Sequence, residues 1–256
     1  MLLNTKLAVM PLWYYICNIL NLYKPKLNRM IRFKPLFLIA FLFSVFTSVN
    51  SQNLDLPTAY IRNSNSGKNK IPANVKGSPF INENFTSSQL IVNNKKIKAQ
   101  LRYDAYTDAF EVKQSNGSVY LSKNPQISIN YLNNNYYLIE YYNDSGILKM
   151  GYLQSMVENE DIKVYKRDVK IFEEGEEAIN SYAVDKPAKF EEEVRYYLAL
   201  NSDNPKEIRL KRRDIIRFFD NKKVKNFIKD EKLKFKDEND LIELADYYNK
   251  MHNNEK

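Results

Sequence analysis

The chain contains one histidine, His252, close to its C-terminal end, and one cysteine, Cys17, close to the other. A serine or cysteine nucleophile needs an imidazole held in register beside it, and a fraying terminus holds nothing in register. Zinc sites built on cysteine and histidine are excluded on the same count. A serine–lysine dyad would do without histidine, but no serine is followed by lysine three residues later. The six glycines, at positions 67, 77, 117, 146, 151 and 175, form no phosphate-cradling loop. No nucleotide, metal or other cofactor is therefore expected.

Three kinds of side chain remain. Paired carboxylates suffice for a glycosidase-like hydrolysis, and the densest acids are Glu173, Glu174, Glu176 and Glu177, then Glu191, Glu192 and Glu193. Neighbours on a strand alternate faces, so such runs read better as solvated turns or protected edges. Tyrosines are the second kind. Tyr137 and Tyr141 sit in one tyrosine-rich stretch and are the candidates for aromatic contact with a partner. The third is a basic run, Arg209, Lys211, Arg212, Arg213 and Arg217, interrupted by Asp214. It is the candidate contact for an anionic lipid surface, against the plainer reading of a solvated helix face.

These residues need elements to position them. Residues 52–77 are polar and broken by Pro57, Gly67, Pro72 and Gly77, which predicts a flexible tail. From 78 to about 210, short runs rich in Tyr, Ile and Val alternate with Asn, Asp, Gly and Lys clusters, which predicts strands and tight turns. Asn93-Asn94, Ser115-Asn116-Gly117 and Asn143-Asp144-Ser145-Gly146 each suit a hairpin. Further strands are predicted over 162–172 and 190–198, with a lead-in at Ile208 and Leu210. Over 211–252, Ile215, Ile216 and Phe219, then Val224, Phe227 and Ile228, then Leu241, Leu244, Ala245 and Tyr248 repeat at helical spacing. Asp237 is placed to cap the last of these helices. The expected fold is α+β, an antiparallel meander curled into a sandwich or partly closed barrel and followed by short C-terminal helices.

Several stretches, GSPFINENF (77–85), LRYDAYTDAFEV (101–112), KFEEEVRYYLAL with KEIRLKRRDIIRFF (189–219) and NFIKDEKLKFKDENDLIELADYYN (226–249), together resemble an uncharacterised family of secreted bacterial proteins. The resemblance implies export and a β-rich body with a helical tail. It implies no activity, cofactor or site residue.

Export is also written in the N-terminal sequence. From Met30 the chain reads MIRFK, then PLFLIAFLFSVF, then TSVNS, the basic, apolar and small-residue regions of a signal peptide cleaved between Ser51 and Gln52. Residues 1–29 are either an upstream artefact or a further apolar segment. Residues 1–51 hold six basic groups and no acid, so 33 of the chain's 39 basic residues face its 31 acids beyond the cleavage point. That near-balance is no nucleic-acid footprint. A chain without cysteine after Cys17 cannot be held by disulfides. The expected product is a periplasmic or extracellular, non-enzymatic binding module for another envelope protein or an anionic surface lipid. The alternatives are a carboxylate-dependent hydrolase and a carrier with its ligand in the barrel interior. The oligomeric state stays open.

Overall fold

A computed structural model describes Leu56 and residues 60–62, 75–176 and 185–253. The chain divides into two units, Met1–Ser51 and Gln52–Lys256, and all described residues belong to the second. The expected signal peptide and the 1–29 segment lie outside them.

Among the described residues eleven strands and three helices follow in order: β1 Ile61–Arg62, β2 Thr86–Val92, β3 Lys95–Asp104, β4 Ala109–Gln114, β5 Gly117–Leu121, β6 Ile127–Tyr131, β7 Asn134–Tyr142, β8 Leu148–Glu158, β9 Ile162–Glu173, β10 Lys189–Leu200, β11 Lys206–Ile208, α1 Arg212–Phe219, α2 Lys222–Asp230 and α3 Asn239–Asn253. The α+β reading holds, and all three expected hairpins form. Asn93 and Asn94 both take left-handed conformations, φ 48° and 63°, which match the twist of β2 and β3. In the β7–β8 turn, Gly146 has φ 74° and the Asn143 side chain accepts the Ile147 N–H at 2.7 Å. A fourth hairpin joins β6 to β7 through Leu132-Asn133, φ 51° and 64°. The sequence did not single it out, because leucine is not a turn residue.

The sheet order is β1-β5-β4-β3-β2-β6-β7-β11-β10-β9-β8, and β7 also pairs with β8. Strands β7 to β11 therefore close into a ring, and the earlier strands extend from it as an open sheet. The pairings between these strands are antiparallel except the short contact of β11 with β7 at Lys206 and Tyr142, and a lone parallel bridge joins Lys76 to Lys189 at the start of β10. β8 changes partner along its length: Leu148 to Gln154 pair with β7, and Gln154 to Glu158 pair with β9. Beyond Gln154 and Lys166 the two strands part, and that splay is where the cleft described below lies.

Three apolar clusters follow from strand alternation. The open sheet buries Leu90, Leu101, Tyr103, Phe110, Ile129, Tyr131 and Tyr152. One face of β9 and β10 gives Ile162, Val164 and Leu198 to the helices, which cover them with Ile215, Val224, Ile228, Leu241 and Leu244. The other face gives Tyr165 and Tyr197 to a smaller cluster with Tyr141 and Leu153. The helical stripes read from sequence are those that bury. Asp220 ends α1 with φ 42°, and the Asn221 side chain caps α2 through the N–H groups of Lys223 and Val224. Asp237 accepts the Asn239 N–H at 2.9 Å where α3 starts.

The tail expected over 52–77 is corrected in part. Leu56 is buried in the first cluster, and Ile61–Arg62 pair with β5 opposite Leu121 and Tyr120. Leu56, Tyr60 and Ile61 are too few and too unevenly spaced to set a period, so polar and turn-forming neighbours hide the pairing. Among the described residues no helix is long and apolar enough to cross a membrane.

Candidate functional site

The turn between β3 and β4 reaches across to the splayed strands. Asp104 shapes it: one carboxylate oxygen accepts the N–H groups of Tyr106 and Thr107, and the other accepts the Tyr120 hydroxyl. Asp108 then adopts φ 53°, a conformation aspartate tolerates better than most residues. Its buried carboxylate accepts the Tyr103 hydroxyl at 2.7 Å, the Tyr152 N–H at 3.2 Å and the Lys123 ammonium at 2.8 Å. Arg167 of β9 lies 3.7 Å from the same carboxylate and also donates to the Tyr141 hydroxyl. The turn is fastened by its backbone too, since Lys170 N–H donates to Ala105 C=O at 3.2 Å. Gly151 makes room for this: a Cβ there would sit 2.7 Å from an Asp108 oxygen and 3.2 Å from the Tyr141 ring.

Above this polar knot opens a cleft of about 430 Å3. Asp108 and Tyr141 form its floor, and Lys123, Lys149, Arg167, Arg195 and Glu207 are among its walls. Four cations thus face two carboxylates. Arg167 and Arg195 are direct partners in the β9–β10 ladder, a placement in which like charges repel. Burial alone would lower the Arg167 pKa, but Asp108 and the tyrosine hydroxyls around it raise it on balance, so the guanidinium keeps its charge. Burial raises the Glu207 pKa against the opposing pull of Arg195, whose Nε lies 3.8 Å away. Burial likewise raises Tyr141, again against Arg167.

The residues singled out in the sequence are dispersed. Tyr141 is 2 % exposed and belongs to the cleft floor, so its ring is packed against Tyr197 at 4.7 Å and only its surroundings are open to a ligand. Tyr137 lies apart, half-buried in a separate open groove of about 820 Å3 with Glu158, Glu160 and Asn201. Arg209, Arg213 and Arg217 converge on Asp214, at 3.0, 3.8 and 3.9 Å, while Lys211 and Arg212 remain exposed beside them. The acidic runs form ion pairs across the β9–β10 hairpin, Glu173 with Lys189 and Glu192 with Lys170, and along β10 itself, Glu193 with Arg195. His252 packs on Tyr248 at the end of α3. Among the described residues no three histidines, cysteines or acids are grouped to hold a metal.

Asp108, Lys123, Gly151, Arg167 and Arg195 were not singled out in the sequence. Arg167 left a signal: it alternates with Tyr165 and Val169 on β9, a charge where alternation puts a side chain inside. Asp108 left none, because an aspartate in a turn is ordinary. In comparisons with protein-family models, with curated proteins and with solved structures, the chain matches none.

Proposed function

We propose that this is an exported binding module and that the cleft over Asp108 receives an anionic group, a carboxylate or a phosphate. The observation that carries the reading is the cross-strand pair Arg167 and Arg195, both lining the cleft with Lys123 and Lys149. Asp108, Glu207 and, from outside the cleft, Glu193 offset part of that charge, and an incoming anion would offset the rest. The signal-peptide pattern read in the sequence at 30–51 and the resemblance to secreted proteins support export. The exposed run at Arg209, Lys211, Arg212, Arg213 and Arg217 is a weaker candidate for the anionic contact, since Asp214 already engages three of its arginines.

The two alternatives have less support. Hydrolysis by paired carboxylates would use Asp108 and Glu207, the acids that line the cleft. Asp108 is already committed to Tyr103, Tyr152, Lys123 and Arg167, which leaves it unsuited to take up a substrate proton. A carrier would hold its ligand inside the ring, where Tyr141, Leu153, Tyr165 and Tyr197 pack together.

Titration calorimetry with inorganic phosphate and with succinate tests the cleft. Arg195→Gln should weaken binding at least tenfold while keeping the β-sheet circular dichroism signal, and any fall in its urea midpoint reports the lost pairs with Glu193 and Glu207. Equal affinity in the variant would remove the reading. Export is tested by intact-mass spectrometry of protein from fractionated cells, which should find a soluble species beginning at Gln52. A membrane-bound species that retains residues before Met30 would overturn it.

A further inference from the structure

We infer that the anionic group reaches the cleft on an extended peptide that adds to the free edge of β8 as a strand, with acidic side chains on one face and apolar ones on the other. The inference rests on the cleft reading above and names the partner's chemistry.

β8 pairs with β7 from Leu148 to Gln154, and with β9 only from Gln154 onward. Among the described residues no strand pairs with its other edge over 148–153. Asn143 N–H donates to Ile147 C=O at the start of the β7–β8 ladder, which sets the alternation for the residues that follow. Lys149, Gly151 and Leu153 turn their backbone groups to β7. Leu148, Met150 and Tyr152 turn theirs outward, and the Tyr152 N–H accordingly meets the Asp108 carboxylate at 3.2 Å. A carboxylate thus already occupies the first rung of this edge, and the rungs at Met150 and Leu148 lead away from it along the cleft wall.

Natural sheets protect their edges with charges, prolines, bulges or a covering element. This edge has little of that. Leu148 and Met150 are 47 % and 45 % exposed, with Ile147 and Tyr142 exposed beside them at the hairpin end. Lys149 lies between them on the opposite face, the face of Gly151, and lines the cleft with Arg167 and Arg195. An added strand would therefore meet apolar side chains on one face and cations on the other. Strand addition draws affinity from backbone hydrogen bonds and specificity from alternate side chains, so the complementary segment alternates apolar and acidic residues. A second copy is a poorer occupant, because pairing two β8 edges would bring two cationic clefts together.

The test uses a pool of seven-residue peptides that alternate Glu or Asp with Leu, Ile, Val or Phe, acetylated and amidated at their ends, and binding is read by fluorescence anisotropy. The pool should bind, and a matching pool with Lys in place of the acids should not. N-methylation of alternate amides in one register should weaken binding at least tenfold, and in the other register much less. Leu148→Pro, which removes an outward N–H at a residue that does not line the cleft, should weaken peptide binding as strongly and leave phosphate and succinate binding unchanged. The methylation series uses the unaltered protein, so it decides the matter even if the proline variant fails to fold. Binding of phosphate or succinate without the acidic pool, or indifference to methylation in both registers, would overturn strand addition and leave the cleft as a small-anion site. Equal binding of the lysine pool would overturn the charge argument. Self-association abolished by Leu148→Pro would assign the edge to a second copy instead. Failure of both peptides and simple anions to bind would remove the cleft reading as well.

Discussion

Gly151 is the smallest residue at the site and has the narrowest tolerance. Its backbone is not in the left-handed region, so what matters is space: a methyl group there would meet the Asp108 carboxylate at 2.7 Å. Gly151→Ala should therefore destabilise the fold by about 1–3 kcal/mol, the usual cost of overpacking, read from the urea midpoint. Asp108→Ala should cost more, about 3–5 kcal/mol, because Arg167 and Lys123 would lose their buried partner. Combined, the two should be less than additive by at least about 0.5 kcal/mol, since removing the carboxylate removes the clash. Strict additivity would mean that Gly151 matters for some reason other than Asp108. Neither residue was legible in the sequence, because their meaning lies in a contact between positions far apart in the chain, and one sequence carries no record of such a pairing.

At the scale of elements, legibility followed turn chemistry. The β2–β3 hairpin was readable because Asn93 and Asn94 both tolerate positive φ, whereas β6 was missed because its turn has leucine in the first of two near-identical left-handed positions. Leu132 is 43 % exposed there and contributes little burial to offset the strain. Leu132→Asn reproduces the Asn-Asn turn used by β2 and β3, and should stabilise the protein by about 1 kcal/mol. Thermal unfolding of the variant checks this, and an unchanged or lower midpoint would mean that the leucine is held by contacts worth more than its strain. The helices were legible for the complementary reason, as each stripe at helical spacing is a stripe that buries against β9 and β10. A partly closed barrel was one of the two expected forms, but the place of its closure was not legible. It depends on β8 exchanging one partner for another midway along its length, which no local pattern encodes.

For the whole molecule, tyrosine fills the role that leucine and tryptophan play in many sheets, and this has a consequence for alkaline stability. Burial raises the pKa of Tyr103, Tyr120, Tyr131, Tyr136, Tyr137, Tyr141, Tyr152, Tyr165, Tyr196, Tyr197 and Tyr248 above the ordinary 10.0, and Tyr165 and Tyr196 are pushed up to about 12. They are spread over all three apolar clusters, so their ionisation is coupled to the fold as a whole. A group whose pKa is raised on folding contributes stability that is complete below its unfolded value and is lost as pH climbs through the folded one. Below pH 10 these hydroxyls should therefore leave stability unaffected, and above it each unit of pH should weaken the fold progressively. Absorbance at 295 nm should record the ionisation of these buried tyrosines as one steep step above pH 10 that coincides with loss of the β-sheet circular dichroism signal. In denaturant all of them should titrate together near 10. A smooth titration of every tyrosine near 10 with the sheet signal intact would mean that the hydroxyls reach solvent without opening the clusters, and that the three cores do not hold together in the way their burial implies.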